Sequence, residues 1–187
     1  MKHVKKAHRT RLITGGAIVA LGLAGAGAYS ASAGGEDTAA APAAVSEAKS
    51  GNTTTGTHLT VAAATKSAKA VLDAAEAENQ RVTVAVVDRD GHTIVTLRGD
   101  GAGPQSYASA ERKAYTAVSW NAPTSELAKR LEQAPNLKDI PGTLFLGGGA
   151  PVTAGGGPVA GIGVAGAPSG DLDEKFARAG VAALAAQ

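Results

Sequence analysis

Two runs rich in β-branched residues, 82–87 and 92–97, are separated only by Asp88-Arg89-Asp90-Gly91. No other feature constrains the chain as tightly. Asp-Gly between two alternating apolar runs supplies the positive φ that a tight reversal needs, so the pair is predicted to be a β-hairpin. A hairpin commits its sheet to antiparallel pairing. With helical patterns before and after it, the expected class is α+β rather than a doubly wound parallel sheet.

The helical patterns are amphipathic. Val61, Ala64, Ala68, Val71, Leu72 and Ala75 recur at three and four residues behind Thr60, a good N-cap. This helix is expected to end near Asn79. After the break at Asp100 to Pro104, Tyr107, Ala110, Ala114, Ala117 and Val118 mark one face of a second helix. Glu111, Arg112 and Lys113 are expected to point outward from it. Pro123 and Thr124 open a short third helix, stopped before Pro135. Asp171 followed by Glu174 resembles an acidic capping box and opens the last helix, with Leu172, Phe176, Ala179, Val181 and Leu184 free to pack.

Beyond Pro141 the composition changes, and eleven of the 25 Gly lie between Gly142 and Gly170. They punctuate three short strands, predicted at 143–146, 152–154 and 159–164. The full prediction is an antiparallel five-stranded sheet flanked by helices, in the order α-β-β-α-α-β-β-β-α. Gly161-Ile-Gly163-Val-Ala-Gly166 matches a dinucleotide fingerprint literally, but Pro168 stands where its helix should begin. A Gly-rich strand closely approached by neighbouring backbone is the better reading.

The N-terminus reads as a secretory signal. Lys2, Lys5, Lys6, Arg9 and Arg11 precede an apolar Gly/Ala-rich run, and Ala31-Ser32-Ala33 supplies the small residues of a cleavage site. The expected organisation is a signal over 1–33, a flexible linker over 34–57 and a folded domain over 58–187. Retention of the apolar run as an anchor is the alternative. The 187-residue chain carries 18 basic and 16 acidic residues; once five basic residues leave with the signal, the remainder is slightly acidic. Such a surface offers phosphates no field, so no nucleic-acid partner is expected. There is no Cys, hence neither disulfides nor thiol chemistry for an exported chain.

Candidate ligands are few. Only His58 and His92 follow the signal, and His92 beside the turn reads as solvated. Asp73 with Glu76, and Asp171 with Glu174, are D-x-x-E pairs whose spacing puts both carboxylates on one helix face, where a hard cation such as iron could bind. A solvated face for the first pair and helix capping for the second compete with that role. Tyr107 and Tyr115 are potential phenolate ligands, Tyr107 being expected to pack instead.

The ordered set Val84-Ala-Val-Val-Asp-Arg-Asp-Gly91, Ala114-Tyr-Thr-Ala117, Ile140-Pro-Gly142, Gly147-Gly-Gly-Ala-Pro-Val152 and Gly161-Ile-Gly-Val-Ala-Gly166 resembles the GlcG/HbpS family over 59–185, most closely its secreted haem-binding members from actinobacteria. The resemblance implies a profilin-like sheet, a homo-oligomer, and haem held by Pro141, Gly142 and Thr143, with Thr143 the first contact. A Thr hydroxyl is a weak iron ligand, which suits an exchangeable haem. His58 is a second candidate contact if the linker folds back over the site. The resemblance also implies peripheral acidic iron sites, which would fall on Asp171 with Glu174, and on Glu111, whose partner position three residues earlier is Ala108. The implied role is a secreted haem or iron scavenger, or an accessory sensor for a membrane receptor such as a sensor kinase. A haem-degrading or peroxide-active enzyme and a structural small-molecule-binding oligomer are the alternatives.

Overall fold

The computed structural model describes residues 46–185. The expected signal, and the linker up to residue 45, lie outside the described residues. The chain divides into two units, Met1–Glu47 and Ala48–Gln187. The second carries the helices and the sheet.

Its elements are α1 (Val61–Ala77), β1 (Thr83–Asp88), β2 (Thr93–Arg98), α2 (Gln105–Trp120), α3 (Thr124–Lys129), β3 (Gly149–Ala154), β4 (Gly157–Ala165) and α4 (Gly170–Ala185). Short 3-10 turns at Arg130–Glu132 and Pro135–Asp139 bridge α3 to the loop before β3. Thr60 caps α1 as expected, its hydroxyl accepting from Ala63 N at 3.2 Å. The hairpin forms at the predicted place. Asp88 Oδ1 accepts from the N–H groups of Asp90 and His92, each at 2.9 Å, while Gly91 takes a φ of +89°.

The described strands make one antiparallel sheet in the order β2-β1-β4-β3. β1 and β4 are central, so β1 is buried on both faces and reads as an unbroken apolar run. Val84 and Val86 face a core with Ile162, Val164, Val71 and Phe176, under α1 and α4. Ala85 and Val87 face the opposite side, under Ala110, Ala114 and Val118 of α2. The result is three layers, two helices, sheet and one helix. The inner surface beneath α2 is small: Ala85 pairs with Gly163, and Val87 with Gly161. A Cβ on Gly163 would lie 2.0 Å from Ala110 O, and one on Gly161 would lie 2.1 Å from Ala114 O. Close backbone approach is therefore what these glycines permit.

Four expectations are corrected. Among the described residues the sheet has four strands rather than five, because 143–146 forms no ladder. Its N–H groups find other partners: Leu144 N donates to Thr116 Oγ1 at 2.8 Å, Thr143 N to Ile140 O at 3.3 Å and Leu146 N to Leu144 O at 3.0 Å. Asp171 does not cap α4; Ser169 does, its Oγ accepting from Leu172 N at 3.2 Å. Lys113 does not point outward, being only 2% exposed. Tyr107 does not pack, being 47% exposed.

Candidate functional site

With the stripe of Ala110, Ala114 and Val118 pressed onto the sheet, residues on the flank of α2 reach past its edge. Glu111 and Tyr115, four apart, share that flank. They line an open cleft of about 210 Å3 with Arg112, Val87, Gly91, Thr93 and Gly142. The hairpin supplies one wall and the turn at 140–143 the other.

The Tyr115 ring lies beside two glycines. A Cβ on Gly91 would come within 2.9 Å of Cε2, and one on Gly142 within 3.6 Å of Cε1. Both glycines have positive φ, +89° and +81°. The two carbons that flank the phenol carbon are thus each bordered by a bare backbone, and the hydroxyl emerges between them. It makes no hydrogen bond with the described residues. Glu111, by contrast, accepts from Thr96 Oγ1 at 3.2 Å.

The turn that carries Gly142 is braced from behind. Thr143 N and Oγ1 both donate to Ile140 O, at 3.3 and 2.8 Å. Thr116 Oγ1 donates to Arg112 O at 2.7 Å while accepting from Leu144 N, which ties the residue after the turn to α2. Pro141 and Gly142 are exposed, whereas Thr143 is buried.

His58 lies against the hairpin turn, in a cleft separate from that of Tyr115. Its Nδ1 is 3.7 Å from Asp90 Oδ2, and it lines a second cleft with Thr54, Thr55, Gly56, Arg89 and Asp90. The last residues of the linker therefore do lie against the domain. His58, Asp88 and Asp90 present ligand atoms within 4.8 Å of one another. Sequence spacing does not join these two aspartates to His58.

The acidic pairs are placed differently from one another. Asp73 is exposed and ion-paired with Lys69 at 2.5 Å, while Glu76 lines a separate cleft with Leu72, Arg81 and Asp100. Asp171 is exposed but Glu174 is buried and turned inward. Glu174 accepts from Ser125 N at 3.0 Å, Ser125 Oγ at 2.8 Å, Arg178 Nη2 at 2.8 Å and Gly148 N at 3.5 Å. Its oxygens are thus taken by protein donors, and the pair with Asp171 presents no open bidentate face.

Beside Glu174 sits a feature that the sequence reading missed. Lys113 Nζ donates to Asp173 Oδ2 at 2.8 Å and to Val164 O at 3.0 Å, with both side chains almost wholly buried. Asp173 Oδ1 accepts from Ala167 N at 3.0 Å. Burial pushes the Asp173 carboxyl above its ordinary value, against the pull of Lys113 and the backbone N–H groups. At Glu174 burial also acts upward, but Arg178, Ser125 and Gly148 together outweigh it and hold that carboxyl below its ordinary value.

The two neighbours therefore contribute opposite signs to the pH dependence of stability. Glu174 stabilises the fold above the unfolded carboxyl value, 4.5, and that contribution is lost as pH falls through its lower folded value. Asp173 contributes most below 3.8 and loses its contribution as pH rises through its raised folded value. Glu174→Gln is accordingly expected to flatten the acid limb of a plot of urea midpoint against pH. An acid limb as steep as that of the parent would show that Glu174 does not carry it.

A family model described as haem degrading protein HbpS-like matches residues 59–182. The chain belongs to the HbpS-like family. No curated protein matches it significantly. Among solved structures, a double mutant of HbpS from Streptomyces reticuli is 74% identical with a TM-score of 0.74, covering 75% of this chain and 96% of that one. Protein ORFY of Klebsiella pneumoniae is 27% identical with a TM-score of 0.68, covering 72% and 96%. PduOC, solved as a haem complex, is 26% identical with a TM-score of 0.63, covering 68% and 95%. The HbpS-like match begins at the residue before the α1 cap and ends within α4, so it takes in both walls of the Tyr115 cleft.

Proposed function

We propose that this chain is an exported haem-binding protein that takes up ferric haem at the Tyr115 cleft and holds it exchangeably. The observation that carries the reading is the cleft itself: a phenol with no hydrogen-bond partner among the described residues, Arg112 and the exposed Gly142 of the turn line one open surface, in a chain whose relatives include a haem complex. The residues suit a porphyrin. Gly91 and Gly142 offer bare backbone against which a flat ring can lie, and Arg112 offers a cation to a propionate.

Pro141, Gly142 and Thr143 border the haem edge in this reading, with the Thr143 hydroxyl keeping the turn closed through Ile140 O. His58, which lines a separate cleft at the hairpin turn, would make a second contact with a propionate in this reading. About 210 Å3 accommodates a porphyrin edge rather than the whole ring, which leaves haem accessible for transfer or for cover by a second copy of the chain. Export is supported by the basic, apolar and small-residue order of the N-terminus. An exported, exchangeable haem site fits a scavenger, or a sensor that reports haem to a membrane receptor such as a sensor kinase. Bound haem would supply a redox-active iron with strong visible absorption.

Titrating the purified chain with haemin is expected to give a saturable Soret band. A chain that stays spectrally silent with haemin in excess would overturn the reading. The family description raises degradation as a second outcome: conversion of bound haem to one biliverdin-type product, on adding reductant and oxygen, would assign an enzyme instead.

A further inference from the structure

We propose that the hairpin turn and the segment before α1 form a site for a divalent transition-metal ion such as Zn2+, with His58, Asp88 and Asp90 as ligands and His92 as a fourth. The site lies in a cleft apart from that of Tyr115 and needs no haem, so it goes beyond the haem-binding reading and stands or falls separately.

The donors converge from two places in the chain. His58 precedes α1, whereas the aspartates belong to the turn between β1 and β2. Ligand atoms of all three lie within 4.8 Å of one another. His58 Nδ1 and Asp90 Oδ2 are 3.7 Å apart, longer than a hydrogen bond and close to the roughly 3.3 Å that separates two ligands of one tetrahedral ion. The same 3.7 Å separates His92 Nδ1 from Asp88 Oδ2, and the His92 side chain, 82% exposed, is free to turn toward the cluster. His58 and His92 are the only histidines beyond position 8, and both end at this one turn.

Their lone pairs are available. Asp88 Oδ1 accepts from the N–H groups of Asp90 and His92, which orients the carboxylate, while Oδ2 accepts no hydrogen bond from the described residues. The Asp90 carboxylate accepts none either. A cleft of about 270 Å3 adjoins the cluster, lined by Thr54, Thr55, Gly56, His58, Arg89 and Asp90. Arg89 adds one positive charge to that lining, and the two carboxylates exceed it.

The donor set selects the ion. Imidazole nitrogen with carboxylate oxygen, and no thiolate, suits a borderline cation such as Zn2+. Two carboxylates are too few for Ca2+, which takes about six to eight oxygens. A bound ion would clip residue 58 to the 88–92 turn in a chain without Cys, and would stabilise the folded state by mass action.

Calorimetric titration of the metal-stripped full chain with Zn2+, without haem, tests the site. A His3→Ala/His8→Ala background leaves His58 and His92 as the only imidazoles. One equivalent is expected to bind, with Ca2+ at least tenfold weaker, and saturating Zn2+ is expected to raise Tm. His58→Ala and Asp90→Asn alter exposed side chains, so their metal-free melts should match the parent. Each is expected to raise the Zn2+ Kd roughly tenfold or more and to remove the Tm shift. His92→Ala should raise Kd a few-fold, and an unchanged Kd there would strike His92 from the ligand set. Parental Kd in both His58→Ala and Asp90→Asn would overturn the site, as would a parent that binds no zinc. Ca2+ binding as tight as Zn2+ would overturn it too, because carboxylates would then be acting without imidazole. A negative result here leaves the haemin titration untouched.

Discussion

Lys113→Met is expected to cost about 3–5 kcal/mol of folding stability, the usual penalty for breaking a buried ion pair from one side. Lys113 and Asp173 are 2% and 5% exposed at the side chain, and their contact of 2.8 Å bridges α2 to α4 beneath the sheet edge. Methionine fills the volume of the lysine stem but leaves the Asp173 carboxylate with no cation and leaves Val164 O without that donor. The unpaired charge, more than lost attraction, sets the magnitude. A small domain holds only about 5–15 kcal/mol in all, so the variant should sit near its folding threshold. Adding Asp173→Asn removes the stranded charge and keeps an acceptor for Ala167 N, so the double variant should recover much of the loss. Urea unfolding followed by circular dichroism reads both. A single variant within about 1 kcal/mol of the parent would mean that water reaches the pair.

Gly163→Ala is expected to cost about 3 kcal/mol or more, at the upper end of overpacking effects. Its Cβ would stand 2.0 Å from Ala110 O and 2.4 Å from Ala114 N, both backbone atoms of α2 that no rotamer change can withdraw. The helix would have to lift from the sheet, opening the contact with Ala85 and Val87 and shifting Tyr115, carried one position beyond Ala114. Gly157 in the same strand is the control. Nothing lies within 4 Å of a Cβ there, so Gly157→Ala should be neutral or slightly stabilising. Equal urea midpoints for the two variants would show that α2 does not press on β4 at this point.

Features written in local spacing were legible from the sequence. The hairpin with its Asp88 turn, the Thr60 cap, the stripe of α1 and the close backbone approach at Gly161 and Gly163 each depend on residues near one another in the chain. The segment 143–146 departs from its predicted strand because, although its composition is strand-like, Leu144 N is taken by Thr116 from a helix distant in sequence and no strand pairs with it. Lys113 does carry a local signal. It stands three residues after Ala110 and four before Ala117, on the apolar stripe, where a lysine needs a buried partner. Asp173 stands in the same relation to Phe176 and Ala177.

For the candidate site the division is similar. The Pro141-Gly142-Thr143 turn was identified through a family resemblance, and the structure sets it beside α2. The sequence offered Tyr115 only as one of two possible phenolate donors; its place in a cleft was not legible, because it arises where Gly91 and Gly142 border one ring from two separate turns. The pairing of His58 with Asp88 and Asp90 likewise needs the linker to fold back.

By itself, then, the sequence determined the α+β class, the hairpin, the helix faces and the family, since periodicity and turn chemistry act over a few residues. Only the tertiary structure decided which charges are buried together, which turn faces Tyr115 and which carboxylates remain free. A spacing pattern says which side of an element is covered; what covers it depends on how distant segments pack.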